Sequence, residues 1–378
     1  MTKIIHFTTV HPRTDTRLRV KEATALAAGF DQTVFLYVQD GLGDEHDPAV
    51  NVQIVDTGNP EKSITRRITI GAFRMFRAVL KARPTIAHFH DPELIPAGLL
   101  LKCFGIRVIY DVHENVPEQI LSKTYLSPGT AKFVAAVATM VEWLAARVFD
   151  ALVLAEPIHG QRFGRATQVV VQNFPVHGEL MSAENIPYND RPMNICYIGG
   201  VSRIRGMLET IRSLEFVKHS DKKLLLGGPI EQPELEAEAV LLSGWHQTTS
   251  YGRVSRIQVA EILAQSRVGL VTLHPVGNYL RSYPVKLFEY MICGLPVIVS
   301  DFPYWREILA GVDCAIFVDP LDPQAIGEAI QWIFDNPAEA EAMGKRGRQA
   351  VLEKFNWDSE GRKLVDLYTD ILSRANIS

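Results

Sequence analysis

A lysine and a glutamate lie three positions apart in the run PVKLFEYMICGLPVI, which begins at residue 284. The first proline opens a predicted helix, Gly294 and Pro296 end it, and the apolar residues that follow predict a buried parallel strand. Lys286 and Glu289 share a helix face, so the cation could bind a phosphate while the carboxylate accepts hydrogen bonds from the hydroxyls of a ribose. An ordinary surface ion pair is the alternative.

A second run suited to an anionic ligand is YIGGVSRIRG, which starts with the end of an apolar strand. Gly199 and Gly200 let the backbone approach an anion closely, and the free amides of a helix that begins near Gly206 favour phosphate there. Arg203 and Arg205 would add forked, permanently charged donors. The run lacks the GxGxxG spacing, which disfavours an NAD-dependent oxidoreductase. A tight turn with solvated arginines is the alternative.

Histidines, carboxylates and an arginine follow three predicted strands in the first half of the chain. The carboxyl ends of parallel strands face ligand clefts, which makes these side chains candidates for a site. The candidates are His113 in YDVHEN, His90, Asp91 and Glu93 in HFHDPE, and Asp15 and Arg17 after the first strand. A lone histidine is more often structural, and an Asp-Pro pair can simply open a helix.

The elements that must position these residues are short apolar runs alternating with helical stretches. Because the predicted strands are apolar throughout, the pattern is typical of parallel sheets covered on both faces. It breaks in the polar segment Asn173–Arg191 and then restarts. Two doubly wound α/β domains are predicted, over residues 1–180 and 188–355, followed by a final helical segment over 356–378. Thr130–Phe149 is predicted to be a long, buried helix.

Composition excludes several classes of protein. The chain of 378 residues is 47% hydrophobic and 22% charged, as in a soluble globular protein, and its net charge of −4 gives no reason to expect nucleic acid as a partner. Its four cysteines lie far apart and form no CxxC pair, so neither zinc nor a disulfide framework is predicted, and a reducing cytoplasm fits. The run MTKIIHFTTV predicts a strand rather than a signal peptide, and no membrane-spanning helix is predicted.

One segment invites a membrane interpretation, because residues 62–83 contain seven basic residues and no acidic one. On a helix the two kinds of side chain separate, with Ile68, Ala72, Phe76 and Val79 on one face and Arg67, Arg74, Arg77 and Lys81 on another. Such a helix could rest on anionic lipid and reach a lipid-linked sugar. A helix packed on its sheet with a solvated basic face is the alternative.

The run from Arg281 to Ile308 resembles the nucleotide-sugar-binding segment of glycosyltransferase family 4, retaining enzymes with two Rossmann-like domains in the GT-B fold. The resemblance covers nearly the whole chain. It extends to Lys21-Glu22, Asn173-Phe174-Pro175, Gly252, Glu261 and Trp357, and it places Arg205-Gly206 at the family's Lys-Gly position. It implies that the last helix crosses back to pack on the N-terminal domain.

The resemblance also implies roles for particular residues. The expected catalytic residues are His113, Lys286 and Arg205. The expected donor-binding residues are Gly199, Gly200, Arg203, Arg205, Lys286, Leu287 and Glu289. Asp15, Arg17, His90, Asp91 and Glu93 are expected on the acceptor side. No metal and no cofactor are expected, since preorganised cations can stabilise a leaving diphosphate.

The chain departs from the family pattern at two places. The usual first carboxylate, eight positions before Glu289, is Arg281, and the loop after the first strand lacks the family's glycines. The expected function is transfer from a nucleotide diphosphate sugar, most simply a UDP-sugar, to a glycan or lipid-linked acceptor in surface polysaccharide biosynthesis. The expected location is the cytoplasm, with peripheral contact at the cytoplasmic face of the inner membrane. A GT-B nucleotide-sugar epimerase and a non-catalytic nucleotide-sugar-binding subunit remain alternatives.

Overall fold

The computed structural model describes residues 2–121, 127–180 and 186–374. The chain divides into two compact units. The first consists of Met1–Asn173 together with Trp357–Ser378, and the second of Phe174–Asn356. The predicted boundaries lie at 180, 188 and 355, so the division after Asn173 comes earlier than the sequence pattern indicates.

The first unit contains an eight-stranded sheet in the order β3-β4-β2-β1-β5-β6-β7-β8. All neighbouring strands are parallel except the edge pair β3 and β4. The strands are β1 (Ile4–Phe7), β2 (Val34–Val38), β3 (Glu45–Asp47), β4 (Val52–Asp56), β5 (Ile86–Phe89), β6 (Arg107–Val112), β7 (Ala151–Leu154) and β8 (Gln168–Val170). Every residue of β1, β5 and β7 is buried, as expected for central parallel strands covered on both faces.

Helices α3, α4 and α6 pack their inner sides into one hydrophobic core with β1, β5, β6 and β7. The helices of this unit are α1 (Thr24–Phe30), α2 (Ile64–Arg66), α3 (Ala72–Ala82), α4 (Ile95–Cys103), α5 (Val116–Leu121) and α6 (Pro128–Val148), with π-helical turns over Thr16–Ala23 and Arg67–Gly71 and 3-10 turns over Pro92–Leu94 and Pro157–Arg162. Asp15 caps the first of these helical segments by accepting hydrogen bonds from the amides of Arg17 and Leu18.

The second unit contains a six-stranded, fully parallel sheet in the order β11-β10-β9-β12-β13-β14. Its strands are β9 (Asn194–Ile198), β10 (Lys223–Gly227), β11 (Thr248–Ser250), β12 (Val268–Val271), β13 (Val297–Ser300) and β14 (Ala315–Val318). Two hydrophobic clusters cover its faces, one centred on α10 and α13 and the other on α7 and α12.

The helices of the second unit are α7 (Met207–Ser213), α8 (Pro233–Val240), α9 (Arg256–Ala264), α10 (Val285–Ile292), α11 (Pro303–Ile308), α12 (Pro323–Asp335) and α13 (Pro337–Glu353), with 3-10 turns over Tyr188–Asp190, Arg203–Arg205, Leu214–Phe216, Ser243–Gln247 and Gly277–Leu280. The last helix, α14 (Trp357–Ser373), belongs to the first unit and packs against α1. An added Cβ at Gly29 of α1 would lie 2.7 Å from Val365 of α14, so the two helices approach closely.

The prediction of two α/β units with parallel sheets is confirmed. The prediction that Thr130–Phe149 is buried is wrong, because α6 exposes most of its large side chains and buries mainly alanines. Within the described residues, no helix combines the length and the apolar character needed to cross a membrane.

Candidate active site

The glycine-rich turn after β9 packs closely against the backbone of neighbouring segments. Gly199 has a φ of +112° and Gly206 has a φ of +76°, conformations that favour glycine. A Cβ added at Gly206 would lie 2.1 Å from the carbonyl oxygen of Thr272, and one added at Gly228 would lie 2.0 Å from that of Gly199. Side chains at Gly206 and Gly228 would therefore collide with neighbouring backbone and push apart the turn that leads into α7.

The ammonium group of Lys286 lies beside this turn. Lys286 is in the first turn of α10, and its Nζ lies 3.5 Å from the ring centroid of Tyr197 at the end of β9. Part of the side chain is exposed, but Nζ itself is buried and has no hydrogen-bond partner among the described residues. Desolvation, reinforced by the nearby charge of Arg205, lowers the pKa of Lys286 well below its ordinary value. A buried cation without an anionic partner is a strong attractor for an anionic ligand.

Arg205 is the second cation at the turn. Its Nη1 donates to the carbonyl oxygen of Gly200 at 2.9 Å and to Glu231 at 3.2 Å, and its Nε donates to the hydroxyl of Tyr279 at 3.3 Å. About a third of the side chain is exposed. Arg205, Lys286 and the Gly199-Gly200 turn therefore form one cationic site, which we call the Lys286 site.

Glu289 lies one helical turn after Lys286 and is already paired. Its Oε1 accepts from Nη1 of Arg256 at 2.9 Å, and Arg256 also pairs with Glu179 at 2.8 Å. Glu289 is 8% exposed, so this carboxylate is held in place by a guanidinium at the start of α9. Charge-assisted hydrogen bonds of this kind hold a carboxylate in one orientation, and the contact of Glu289 with a ribose stays a prediction.

The structure does not bring two of the predicted donor-binding residues into the Lys286 site. Arg203 is exposed and pairs with Glu238 on α8. Leu287 is fully buried in the hydrophobic core, and its amide donates to the carbonyl of Pro284 at 3.0 Å. The roles of both residues stay predictions.

In the first unit, His113 lies at the carboxyl end of β6 and is oriented by Asp111. Nε2 of His113 is 3.1 Å from Oδ2 of Asp111, and about a fifth of the His113 side chain is exposed. Asp111 is fully buried and accepts two hydrogen bonds of 2.9 Å from the guanidinium of Arg17. Burial alone would raise the pKa of Asp111, but Arg17 holds it well below its ordinary range. Asp111 is therefore an anion that fixes the imidazole of His113.

Arg17 itself is a buried structural cation rather than an exposed acceptor-side group. It is 4% exposed, bridges Asp111 and Glu22, and donates to the carbonyl of Val171 at 2.8 Å. The sequence placed Arg17 near the cleft from its position after the first strand, and the structure instead shows it inside the unit.

Behind His113 lies a buried group of polar side chains, which we call the histidine cluster: His6, Glu22, His88, His90 and Asp111. Nδ1 of His90 lies 3.2 Å from Asp111, and Nε2 of His90 lies 3.0 Å from His6. Burial lowers the pKa of His90 to about 4 and lowers those of His6 and His88 well below their ordinary value. The three imidazoles are therefore neutral near pH 7. Through Asp111, which contacts both His90 and His113, the cluster connects β1, β5 and β6 to His113.

The remaining acceptor-side candidates are held by neighbouring groups. Asp15 caps a helix, and its carboxylate lies 3.1 Å from Nδ1 of His11. Burial would raise the pKa of Asp15, but the hydrogen bonds from His11 and from the Leu18 amide lower this pKa to about 2. Asp91 is 2% exposed and accepts from the amide of Thr9 at 2.6 Å. Glu93 pairs with Arg67 at 2.5 Å. These carboxylates shape the loop after β1, and their contact with an acceptor stays a prediction.

Two sets of side chains have donor atoms close enough to hold a metal ion. One is His6, Glu22, His88 and His90, and the other is His90, Asp111 and His113, each set lying within 4.8 Å. Imidazole and carboxylate donors suit zinc. Arg17 occupies both oxygens of Asp111 and lies 2.9 Å from Glu22, so a guanidinium already neutralises the carboxylates there. The expectation of a metal-independent reaction stays a prediction.

Sequence reasoning missed three residues that organise these sites. Tyr197 contacts Lys286, Arg256 holds Glu289, and Tyr368 of α14 lies 2.8 Å from His88 and 3.1 Å from His6. The Ser255–Gln258 capping box marks the start of α9 and so could have drawn attention to Arg256. No local signal could have indicated Tyr368, since 280 positions separate it from His88.

The chain is similar in sequence to known proteins. Residues 183–350 match the family described as Glycosyl transferases group 1. A curated relative, alpha-maltose-1-phosphate synthase of Mycobacterium tuberculosis, is 24% identical over 312 residues, which cover 76% of this chain and 79% of the relative.

Solved structures of similar shape cover the whole chain. Sucrose-phosphate synthase from Thermosynechococcus elongatus superposes with a TM-score of 0.76 at 18% identity, over 99% of this chain and 100% of that one. HepE from Anabaena, in complex with UDP and glucose, superposes with a TM-score of 0.71 at 12% identity, over 98% of this chain and 100% of that one. These similarities confirm the predicted GT-B fold.

Proposed function

We propose that this chain, a glycosyltransferase with a group 1 glycosyl transferase domain over residues 183–350, transfers a sugar from a nucleotide diphosphate sugar to a glycan or lipid-linked acceptor. The proposed nucleotide is UDP, the proposed stereochemical course is retention, and the proposed setting is surface polysaccharide biosynthesis at the cytoplasmic side of a membrane. The solved HepE structure is described with UDP and glucose, which supports the choice of donor for a chain of the same fold.

The observation that carries the proposal is the buried ammonium of Lys286. Without a ligand, this cation has no anionic partner among the described residues, and a second cation, Arg205, lies close enough to lower its pKa. Arg205 is paired with the half-exposed Glu231, but the buried ammonium of Lys286 beside it stays without an anion in the described part of the chain. A diphosphate would interact with both cations, and Glu289, three positions after Lys286 on the same helix, would accept hydrogen bonds from the ribose.

The proposed chemistry follows from where charge develops. When the bond between the sugar and the diphosphate breaks, negative charge grows on the departing phosphate oxygen. Arg205 and Lys286 would stabilise that charge, and a preorganised donor of this kind contributes about 3–4 kcal/mol to a barrier. His113, fixed by Asp111 and partly exposed, would contact the transferred sugar. No step in this account requires a metal.

The test is a binding panel with the whole chain. Thermal shifts are measured with UDP, GDP, ADP, dTDP and their sugars, since a ligand that binds the native state raises the melting temperature. We expect UDP and a UDP-sugar to give the largest shifts, and Lys286→Met to lose them. Lys345→Met is the matched control, because Lys345 is an exposed lysine on α13 that pairs with Glu341.

Transfer is then followed by product analysis. Release of UDP together with a glycosylated acceptor supports the proposal. A free epimer without transfer would favour an epimerase, and nucleotide binding with neither hydrolysis nor transfer would favour a binding subunit. Equal shifts for wild type and Lys286→Met would contradict the assignment of the Lys286 site.

A further inference from the structure

Helix α6 presents its large apolar side chains to solvent. Phe133 is 71% exposed, Met140 is 64% exposed and Trp143 is 49% exposed. The residues that α6 buries are four alanines and Glu142. An amphipathic surface helix normally turns its large apolar residues to the core and its polar residues outward, so α6 is reversed. Contiguous exposed apolar surface of this kind marks an interaction site.

The apolar surface continues across the neighbouring helices. Leu100 of α4 is 49% exposed, Phe104 after α4 is 61% exposed and Phe73 of α3 is 59% exposed. Phe76 links the last two, because its ring centroid lies 6.4 Å from each of theirs. Since α3, α4 and α6 share one core and α4 contacts both of the others, their outer sides form one surface, which we call the outer helix face.

The outer helix face carries mostly positive charge, although Lys102 of α4 is paired with Asp150, which follows α6. Helices α3, α4 and α6 contain one acidic residue, Glu142, and it is 3% exposed and paired with Arg162. The basic residues on these helices are Arg74, Arg77, Lys81, Lys102, Lys132 and Arg147. The chain as a whole has a net charge of −4, so positive charge is concentrated here against the overall balance.

A groove at the edge of this face adds a place for anionic groups. It has a volume of about 1060 Å³ and is lined by Arg77, Lys81, Arg83 and Phe104, among others. Arg77 and Lys81 form no ion pair within the described part of the chain, whereas Arg67 pairs with Glu93 and Arg74 with Glu61. Arg77 and Lys81 are thus unpaired cations close to the exposed side chain of Phe104.

We propose that the outer helix face docks on an anionic lipid bilayer. Apolar side chains flanked by unpaired cations match the boundary between acyl chains and anionic headgroups. A tryptophan stacked by an arginine, as Trp143 is by Arg147 at 3.4 Å, suits that boundary. A second copy of the chain is the poorer occupant, because a symmetric dimer through this face would oppose like charges. The proposal rests on the membrane setting in the proposed function, but its test is separate, since vesicle binding requires no donor.

This surface differs from the one that the sequence predicts. The sequence groups Ile68 with Ala72, Phe76 and Val79 on one apolar face, but Ile68 is 47% exposed, whereas the residues that α3 buries are Ala72, Met75 and Val79. The segment over residues 62–83 therefore contributes Phe73 and the cations at its end to the surface, and α6 contributes Phe133, Met140 and Trp143.

The test is sedimentation of the full chain with vesicles of phosphatidylglycerol and phosphatidylcholine, and with phosphatidylcholine alone. We expect wild type to bind the anionic vesicles and to come off partly at high salt, as charges are screened. A variant with Phe133→Ser, Met140→Ser and Trp143→Ser should lose binding at every salt concentration. A variant with Arg77→Gln, Lys81→Gln and Arg83→Gln should bind on the order of 100-fold more weakly at low salt.

The matched control replaces exposed apolar residues of the second unit, Leu241→Ser and Ile257→Ser, which are 84% and 73% exposed. It should bind like wild type. Donor-induced thermal shifts and circular dichroism establish that each variant is folded. Equal vesicle binding by wild type and both outer-face variants overturns the proposal, as does absence of wild-type binding. A dimer that forms without lipid and dissociates in the triple serine variant would overturn it in favour of self-association.

Discussion

The ammonium of Lys286 is buried against Tyr197 with a second cation nearby, and this arrangement has a cost in the free protein. Because the pKa of Lys286 is lowered by desolvation, the unfolded chain binds more protons than the folded chain between that lowered pKa and about 10.5. Stability of the free protein therefore increases as pH rises through this window. Residues that destabilise their own fold are typical of functional sites, which supports the role proposed for Lys286.

Replacing Lys286 by methionine should stabilise the ligand-free protein at neutral pH, because a buried charge without a partner is removed while the stem volume is kept. We expect a gain of about 1–2 kcal/mol in the free energy of unfolding, and the gain should shrink as pH approaches about 10.5. Urea titrations at several pH values measure it, with Lys345→Met as control. A variant less stable than wild type at pH 7 would show that the ammonium supports the fold.

Loss of Arg205 should act on turnover instead. Arg205→Ala removes one of the two cations that would face the leaving diphosphate, and we expect turnover to fall by about 100-fold or more at saturating donor. Arg346→Ala is the control, since Arg346 lies on α13 and pairs with Glu339 at the surface. Steady-state kinetics with both substrates measure the turnover of wild type, Arg205→Ala and the control variant. Turnover above half of the wild-type value would show that Arg205 does not stabilise the leaving diphosphate.

At the scale of helices and strands, hydrophobic patterning predicted the central strands because each is buried on both faces and reads as an apolar run. The edge strand β3 and its neighbour β4 were missed, since they are short and polar in part. The exposure of α6 was mispredicted for a different reason. Its sequence is apolar on most sides, and only the three-dimensional arrangement shows that alanines rather than large side chains meet the sheet.

The inner side of α6 should tolerate little added volume. Ala145 is fully buried in the core between the helix and the sheet, so Ala145→Leu should destabilise the protein by about 1–3 kcal/mol through overpacking. Ala136→Leu, on the exposed side of the same helix, should change stability by less than about 0.5 kcal/mol. Chemical denaturation compares the two. Equal effects would show that α6 does not pack as described.

At the scale of the whole chain, the motifs that the sequence revealed are local, and the networks that support them are not. The Lys286–Glu289 spacing lies on one helix and could be predicted, and the GT-B fold and the prediction of a transferase enzyme are confirmed. The histidine cluster joins β1, β5 and β6, and Tyr368 of α14, which contacts it, lies 362 positions from His6, so no local pattern reveals this network. Donor, acceptor and stereochemistry remain proposals.

The contribution of α14 to the first unit has a consequence for how the protein is made. The ribosome completes residues 357–374 after all of the second unit, so the second unit can fold while the first still lacks Tyr368, Leu364 and Ile371, all of them buried in the finished protein. Until then His6 and His88 lack the hydroxyl that bridges them. The second unit should therefore complete its folding before the first, although most of the first unit is synthesised earlier. A 1–173 fragment should gain protection from hydrogen exchange in β1 and β5 only when a peptide of residues 357–374 is added, and a fragment already protected alone would contradict this order.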